Sequence, residues 1–128
     1  MDSDCSSLEK CLDKFLPHLN DYDFVGAIVS NSYRVLYRHE GIIGKTVSFF
    51  NKKDYAFKVF NNRGLIIFES GAKIHFTRTD RVNGLLLDAA LIIDDLSTTR
   101  EDILKVKSRL WNHKGVGGEL WFLNINDV

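Results

Sequence analysis

An α/β fold with a partly parallel sheet, flanking helices and a β-hairpin is what this sequence predicts, and three observations carry the prediction. The first is the run Leu91-Ile92-Ile93, apolar without alternation, which is how a strand buried on both faces reads. It closes the stretch from Gly84 to Asp95 (GLLLDAALIIDD), opened by an Asn83-Gly84 turn and stopped by two adjacent acids, Asp94 and Asp95. The second is the succession after those acids: a helix expected over Glu101 to Trp111, a glycine-rich connection from Asn112 to Gly118, and a short buried strand from Glu119 to Ile125. A strand, helix, strand succession of this kind joins parallel strands. The third is Leu65-Ile66-Ile67-Phe68, a Glu69-Ser70-Gly71-Ala72 turn, and Lys73-Ile74-His75-Phe76, which form a hairpin.

From the start of the chain, Asp4 to Asn20 reads as a helix capped by Ser6 or Ser7. Leu8, Cys11, Leu12, Phe15, Leu16 and Leu19 recur in it at helical spacing, and Pro17 kinks it or ends it early. Phe24 to Val29 is a second buried strand. Tyr33 to His39 fits either an extension of it or a short helix. Gly41 to Gly44 is expected as a loop, Thr46 to Phe50 as a short strand, and Tyr55 to Phe60 as a weak strand ending at an Asn61-Asn62-Arg63-Gly64 turn. Ser97 to Glu101 has the form of a helix start, a hydroxyl followed within three residues by an acid.

Composition narrows the function. At 128 residues one domain is expected over 1–128. The 17 basic and 17 acidic side chains cancel, so no global field gathers nucleic acid or an anionic membrane. No apolar run approaches the roughly 20 residues of a membrane span, and the first residues do not form a secretory signal. A cytoplasmic protein is expected, in host cytosol or nucleus if viral, with Cys5 and Cys11 as free thiols. The four histidines show no metal-ligand spacing.

In open α/β sheets ligands bind outside the carboxyl ends of the strands, which directs attention to Asp94 and Asp95. An apolar strand ending in two acids has the shape of a Walker B motif, one acid holding Mg²⁺ and the next polarising the attacking water. Helix capping accounts for the same pair with no chemistry. A phosphate-loop candidate spans His39 to Thr46 and ends in Gly44-Lys45-Thr46, with His39 where the first glycine belongs. Arg34, Arg38, Lys52, Lys53, Arg63, Arg78 and Arg81 concentrate in the middle third among aromatic residues, a pattern suited to phosphate backbones or single strands and equally to a solvated face. A nuclease set of Asp88 or Asp94 with Glu101 and Lys105 or Lys107 completes the candidates.

In its order of elements, roughly residues 60 to 126 resemble the ATPase domain of large terminases and related helicase-like P-loop proteins. The correspondence runs through the hairpin Phe68 to Phe76, the turn Arg81-Val82-Asn83-Gly84, the Walker B-like strand Leu91 to Asp95, the helix Glu101 to Trp111, and the strand Leu120 to Asn124 with its polar end. The resemblance implies Asp94 as metal ligand, Asp95 as the catalytic carboxylate that polarises the attacking water and Asn124 as coupling residue; no cofactor is firmly implied, and Mg²⁺ and ATP are the possible ones. Asp95 stands where the family usually has Glu, and Asn124 where Ser or Thr is usual. The phosphate loop falls at or before Met1, which makes the opening helix the remnant of the one that follows it and leaves sheet edges open to self-association. The expectation is a non-catalytic, terminase-like module of a viral or mobile-element protein that binds a partner, protein or nucleic acid such as DNA, in DNA packaging or processing. A Mg²⁺-dependent nucleotide hydrolase using Gly44, Lys45 and Thr46 with Asp94 and Asp95 is the first alternative. A nucleic-acid-binding module or metal-dependent nuclease is the second.

Overall fold

The computed structural model describes residues 2–37, 41–110 and 118–128, and among them seven strands form one sheet in the order β1-β7-β6-β2-β5-β4-β3. In chain order these are β1 (Asp2–Cys5), β2 (Val25–Val29), β3 (Phe57–Phe60), β4 (Leu65–Phe68), β5 (Lys73–Thr77), β6 (Ala89–Asp94) and β7 (Glu119–Asn124). β1, β7, β6, β2 and β5 run parallel. The hairpin β4–β5 and the outer strand β3 are antiparallel additions. The helices are α1 (Leu8–Asp13), α2 (Tyr33–Tyr37), α3 (Ile42–Lys52) and α4 (Arg100–Arg109). No helix among the described residues is long and apolar enough to cross a membrane.

The central strands are apolar on both faces because both are covered. Ala89, Leu91 and Ile93 of β6 join Ile28, Trp121 and Leu123 in a core under α1, α2 and α3. Ala90 and Ile92 join Ala27, Val29 and Leu120 in a second core with Val82, Leu87 and Val106 of α4 on the opposite face. Phe15 lies edge-on to Trp121, with ring centroids 4.8 Å apart. Asp88, just before β6, accepts from the Val25 amide at 2.9 Å and so fixes the starts of β2 and β6 against each other.

The N-terminus corrects the expected helix from Asp4 to Asn20. Residues 2–5 extend as β1 and pair in parallel with β7, and the helix begins only at Leu8, where Ser7 Oγ accepts from the Lys10 amide at 3.2 Å. Pro17 sits in a separate 3₁₀ turn, Leu16–His18. Helical spacing from Leu8 onward is real. Nothing in Asp2-Ser3-Asp4-Cys5 alternates clearly enough to betray a strand that finds its stability in β7. The expected free thiols are corrected as well: a strand, a two-residue turn and a helix bring Cys5 and Cys11 together, Cα atoms 5.5 Å apart, in a disulfide. A continuous helix would have held residues six apart out of reach. β1 supplies the strand expected to be missing and is itself one edge of the sheet.

The second correction is larger. Gly41 to Gly44 is not a loop and Thr46 to Phe50 is not a strand; Gly41 is the N-cap of α3 and the whole segment from Ile42 to Lys52 is helical. Ile42, Ile43, Thr46, Phe49 and Phe50 make one buried stripe of this helix, at the spacing of a helical face. Tertiary burial of that stripe outweighs the β-preference of Val47, Phe49 and Phe50. α4 starts within the expected segment, where Thr99 and Asp102 make a reciprocal capping box. Arg38 and His39, the end of the Tyr33 segment, lie outside the described residues, as do Trp111 and 112–117 of the glycine-rich connection.

Candidate functional site

Five parallel strands release their carboxyl ends along one edge of the sheet. The registers Asp94↔Asn124, Cys5↔Leu123, Val29↔Ile92 and Val29↔Thr77 set Ser6, Asn124, Asp94, Asn31 and the residues after Thr77 side by side there. Asp94 is half-buried at the end of the β6–β7 ladder, and no side-chain hydrogen bond ties its carboxylate among the described residues. Asn124 is exposed opposite it, its side-chain oxygen taken by the Asn126 amide at 2.9 Å.

Asp95 is held by its own turn. Its Oδ1 accepts from the Ser97 amide at 2.8 Å, from Ser97 Oγ at 2.6 Å and from Thr98 Oγ1 at 3.3 Å. A carboxylate oxygen so engaged shapes the turn into α4 and points away from use as a base.

Behind this turn lies a polar network that the sequence does not announce. Thr79 Oγ1 donates to Asn31 Oδ1 at 2.6 Å, and Asn31 Nδ2 donates to Asp102 Oδ2 at 2.9 Å, tying the ends of β2 and β5 to the start of α4. Only the Thr99-to-Asp102 spacing could have signalled any of it. The backbone hydrogen bond from Thr99 holds the Asp102 carboxyl below its ordinary value; partial burial works against this, and side-chain bonds from Asn31, Thr99 and Thr79 add to it. A depressed folded value means that the stabilisation is complete above the unfolded value of about 3.9 and is lost as pH falls through the folded one. Asp102→Asn should therefore flatten the acid limb of a stability curve measured by urea unfolding below about pH 4. An acid limb equally steep in the variant would assign the loss to other carboxyls.

The phosphate-loop candidate does not form a loop. Gly44 and Lys45 are exposed and Thr46 is fully buried, its hydroxyl without a partner among the described residues. A hydroxyl on the core side of α3 is not presented to a metal ion. Lys45 instead lines a groove of about 390 Å³ with Ser7, Glu9, Lys52 and Asp127. The resemblance put a first strand and the phosphate loop at or before Met1, ahead of the opening helix; the structure instead has a strand and turn within the chain, β1 and Ser6-Ser7, leading into α1. That turn has two residues, too few for successive amides to wrap a phosphate chain. These residues do not fit a magnesium nucleotide, and no catalytic step is derived through one. Among the described residues no three His, Cys, Asp or Glu side chains gather to hold a metal ion. The nuclease set is dispersed too: Asp88 lies at the opposite end of β6 from Asp94, and Glu101, Lys105 and Lys107 lie along α4.

The basic candidates divide. Lys52 and Lys53 end α3, with Lys53 Nζ 5.6 Å from the Phe49 ring centroid. Arg34 is exposed on α2. Arg63, Arg78 and Arg81 converge on one cleft of about 120 Å³ beside the end of β5, together with Tyr33, Tyr37 and Asn62. Tyr33 and Tyr37, one helical turn apart, stack with centroids 4.7 Å apart, and Arg78 lies 5.6 Å from the Tyr33 ring. Asp80 receives Arg78 with both carboxylate oxygens, at 2.8 and 3.2 Å. Tyr37 Oη donates to the Phe76 carbonyl at 3.2 Å. Burial pushes the Tyr37 hydroxyl up from its ordinary pKa, the neighbouring Tyr33 adds to this, and Arg81 opposes it.

Comparison with known proteins finds a match in shape alone. No protein-family model matches the sequence, and no curated protein matches it. Among solved structures, the large terminase of a thermophilic bacteriophage in complex with ADP is similar with a TM-score of 0.69 at 13% identity, over 96% of this chain and 33% of that one. A second crystal form of the same terminase gives 0.70 at 13% identity, over 97% and 33%. This chain thus spans about a third of the length of the terminase chains it matches. At that identity the likeness establishes architecture: the chain has the mixed, largely parallel α/β fold of a terminase-like ATPase.

Proposed function

We propose that this chain is a terminase-like ATPase-fold module of a viral or mobile-element protein that does not turn over nucleotide and instead binds a protein or nucleic-acid partner in DNA packaging or processing. The observation that supports this most is the Ser6-Ser7 connection between β1 and α1. In the fold it resembles, that connection is where phosphate is cradled, and two residues leave no loop for the purpose. Asp95, tied into the turn before α4, and Thr46, buried in α3, agree with a scaffold kept for its shape. DNA is the favoured partner because basic residues gather on one cleft while most of the acids that neutralise the total lie elsewhere.

Phosphate release from Mg²⁺-ATP, measured with and without single-stranded and duplex DNA, tests the reading. Release no faster than from buffer in every case is the expected result. Turnover that DNA stimulates and Asp94→Ala abolishes would replace the reading with the hydrolase one. One observation favours that second reading: Lys45 and Ser7 line the same groove, so a lysine does approach the start of α1.

A further inference from the structure

The cleft at the end of β5 holds more positive charge than its own contacts use. Arg78 is matched by Asp80, whereas Arg63 and Arg81 have no carboxylate partner among the described residues. We propose that this cleft is a nucleic-acid site, in which Arg63 and Arg81 grip a backbone phosphate of a single strand and Arg78, fixed on Tyr33, bounds it. This deepens the partner-binding reading above and rests on it for the choice of a nucleic acid.

Size limits the ligand first. Pockets that enclose whole small molecules run to about 300–1,000 Å³, and this one has about 120 Å³. It admits one anionic group of a larger ligand whose remainder stays outside. Guanidinium groups suit such a group, since their planar forks can donate two parallel hydrogen bonds to phosphate oxygens.

The walls are also held in place, which lowers the ordering cost of binding. Arg78 is fixed by Asp80 and by the Tyr33 ring, Tyr33 by stacking on Tyr37, and Tyr37 by the Phe76 carbonyl. The turn that carries Asn62 and Arg63 is pressed against Tyr37 through Gly64, where even a Cβ would lie 2.6 Å from the Phe76 carbonyl oxygen. With its pKa raised, Tyr37 stays neutral at physiological pH and places no negative charge beside the anion.

A strand is favoured over a free anion by what surrounds the recess. Arg34, exposed on α2 beside Tyr33 in the chain, adds a further positive charge on the helix that walls the cleft. Tyr33 is 49% exposed, so part of its ring remains open to contact from an unpaired base beside the recess. A flexible single strand can bend one phosphate into the recess.

The test is the anisotropy of a labelled oligo-dT of about 12 nucleotides, within the site sizes single-strand binders use, titrated with the protein at several salt concentrations. The double variant Arg63→Ala/Arg81→Ala should bind at least tenfold more weakly at low salt, with a log–log salt slope shallower by about 0.7, the value for one lost phosphate contact on a single strand. Arg63→Lys/Arg81→Lys should keep most of the slope yet lose affinity, because the charge remains and the fork does not. Lys52→Ala/Lys53→Ala, on α3, should change binding less than twofold, and unchanged melting temperatures confirm that these exposed substitutions leave the fold intact. Equal binding by wild type and the Arg63/Arg81 alanine variant would overturn the site while leaving a nucleic-acid partner standing. No oligonucleotide binding at low salt would overturn the proposal. Inorganic phosphate stabilising the wild type alone, without oligonucleotide binding, would make the cleft a free-phosphate site and overturn the strand assignment. Failure of the broader reading shows separately, as nucleotide turnover.

Discussion

Phe50→Ala is expected to lower the unfolding free energy by about 3–5 kcal/mol, the range for truncating a buried aromatic residue. Phe50 is fully buried and joins α3 to the antiparallel end of the sheet. Its ring meets Phe49, Tyr55, Phe57 and Phe68 edge-on, with centroid distances of 5.3, 6.1, 6.3 and 5.0 Å. Alanine would remove the centre of that cluster and leave a cavity that the surrounding helix and strands cannot close together. Lys52→Ala, exposed on the same helix, should move stability by no more than about 0.5 kcal/mol. Urea unfolding of both variants reads the contrast. If the two match, α3 does not pack as described, and the strand expected at Thr46 to Phe50 returns.

Glycine substitutions at two positions should act with opposite signs. Gly64 has φ of +56°, and a Cβ there would meet Tyr37 Oη and stand 2.6 Å from the Phe76 carbonyl oxygen. The left-handed conformation alone costs an alanine about 1–2 kcal/mol, and the backbone contact cannot be relieved by rotating a side chain. Gly64→Ala should therefore destabilise by about 2–4 kcal/mol. Gly44, inside α3 with nothing within 4 Å of its Cβ position, should gain up to about 1 kcal/mol on becoming alanine. Thermal melts of the two variants, moving in opposite directions from wild type, are the expected pattern. A Gly44→Ala variant that lost stability would mean that the segment is not helical in solution.

Leu91-Ile92-Ile93 was legible because burial on both faces leaves an unbroken apolar run, and the hairpin because its turn and alternation are local. The start of α4 was legible within Ser97 to Glu101 for the same reason, although the acid that completes its cap, Asp102, lies one residue beyond that segment. β1 and α3 were illegible for the opposite reason. Asp2 to Cys5 becomes a strand only because β7, at the other end of the chain, offers it an edge. The buried stripe from Ile42 to Phe50 is apolar at helical spacing, but Gly41, Gly44 and the β-prone pair Phe49-Phe50 pull a local reading toward loop and strand.

The site divides along the same line. The position of Asp94 at the carboxyl edge follows from the strand that ends there. The occupation of Asp95 by Ser97 and Thr98 is local and was open to the capping explanation. The convergence of Arg63, Arg78 and Arg81 depends on how a turn, a strand end and α2 fold against one another, and composition showed only that basic residues were plentiful nearby. Tyr33 and Tyr37, four apart on a helix, were the signal that could have drawn attention to this place.

The most direct measurement is a thermal melt with and without millimolar Mg²⁺-ATP, repeated on Asp94→Ala. A ligand present at about 100 times its dissociation constant stabilises the native state by roughly 2.7 kcal/mol, several degrees in a chain of this size. A scaffold with only Ser6 and Ser7 between β1 and α1 predicts no shift in either protein. A rise of several degrees in the wild type that disappears in Asp94→Ala would contradict the account and make the carboxyl edge a nucleotide site.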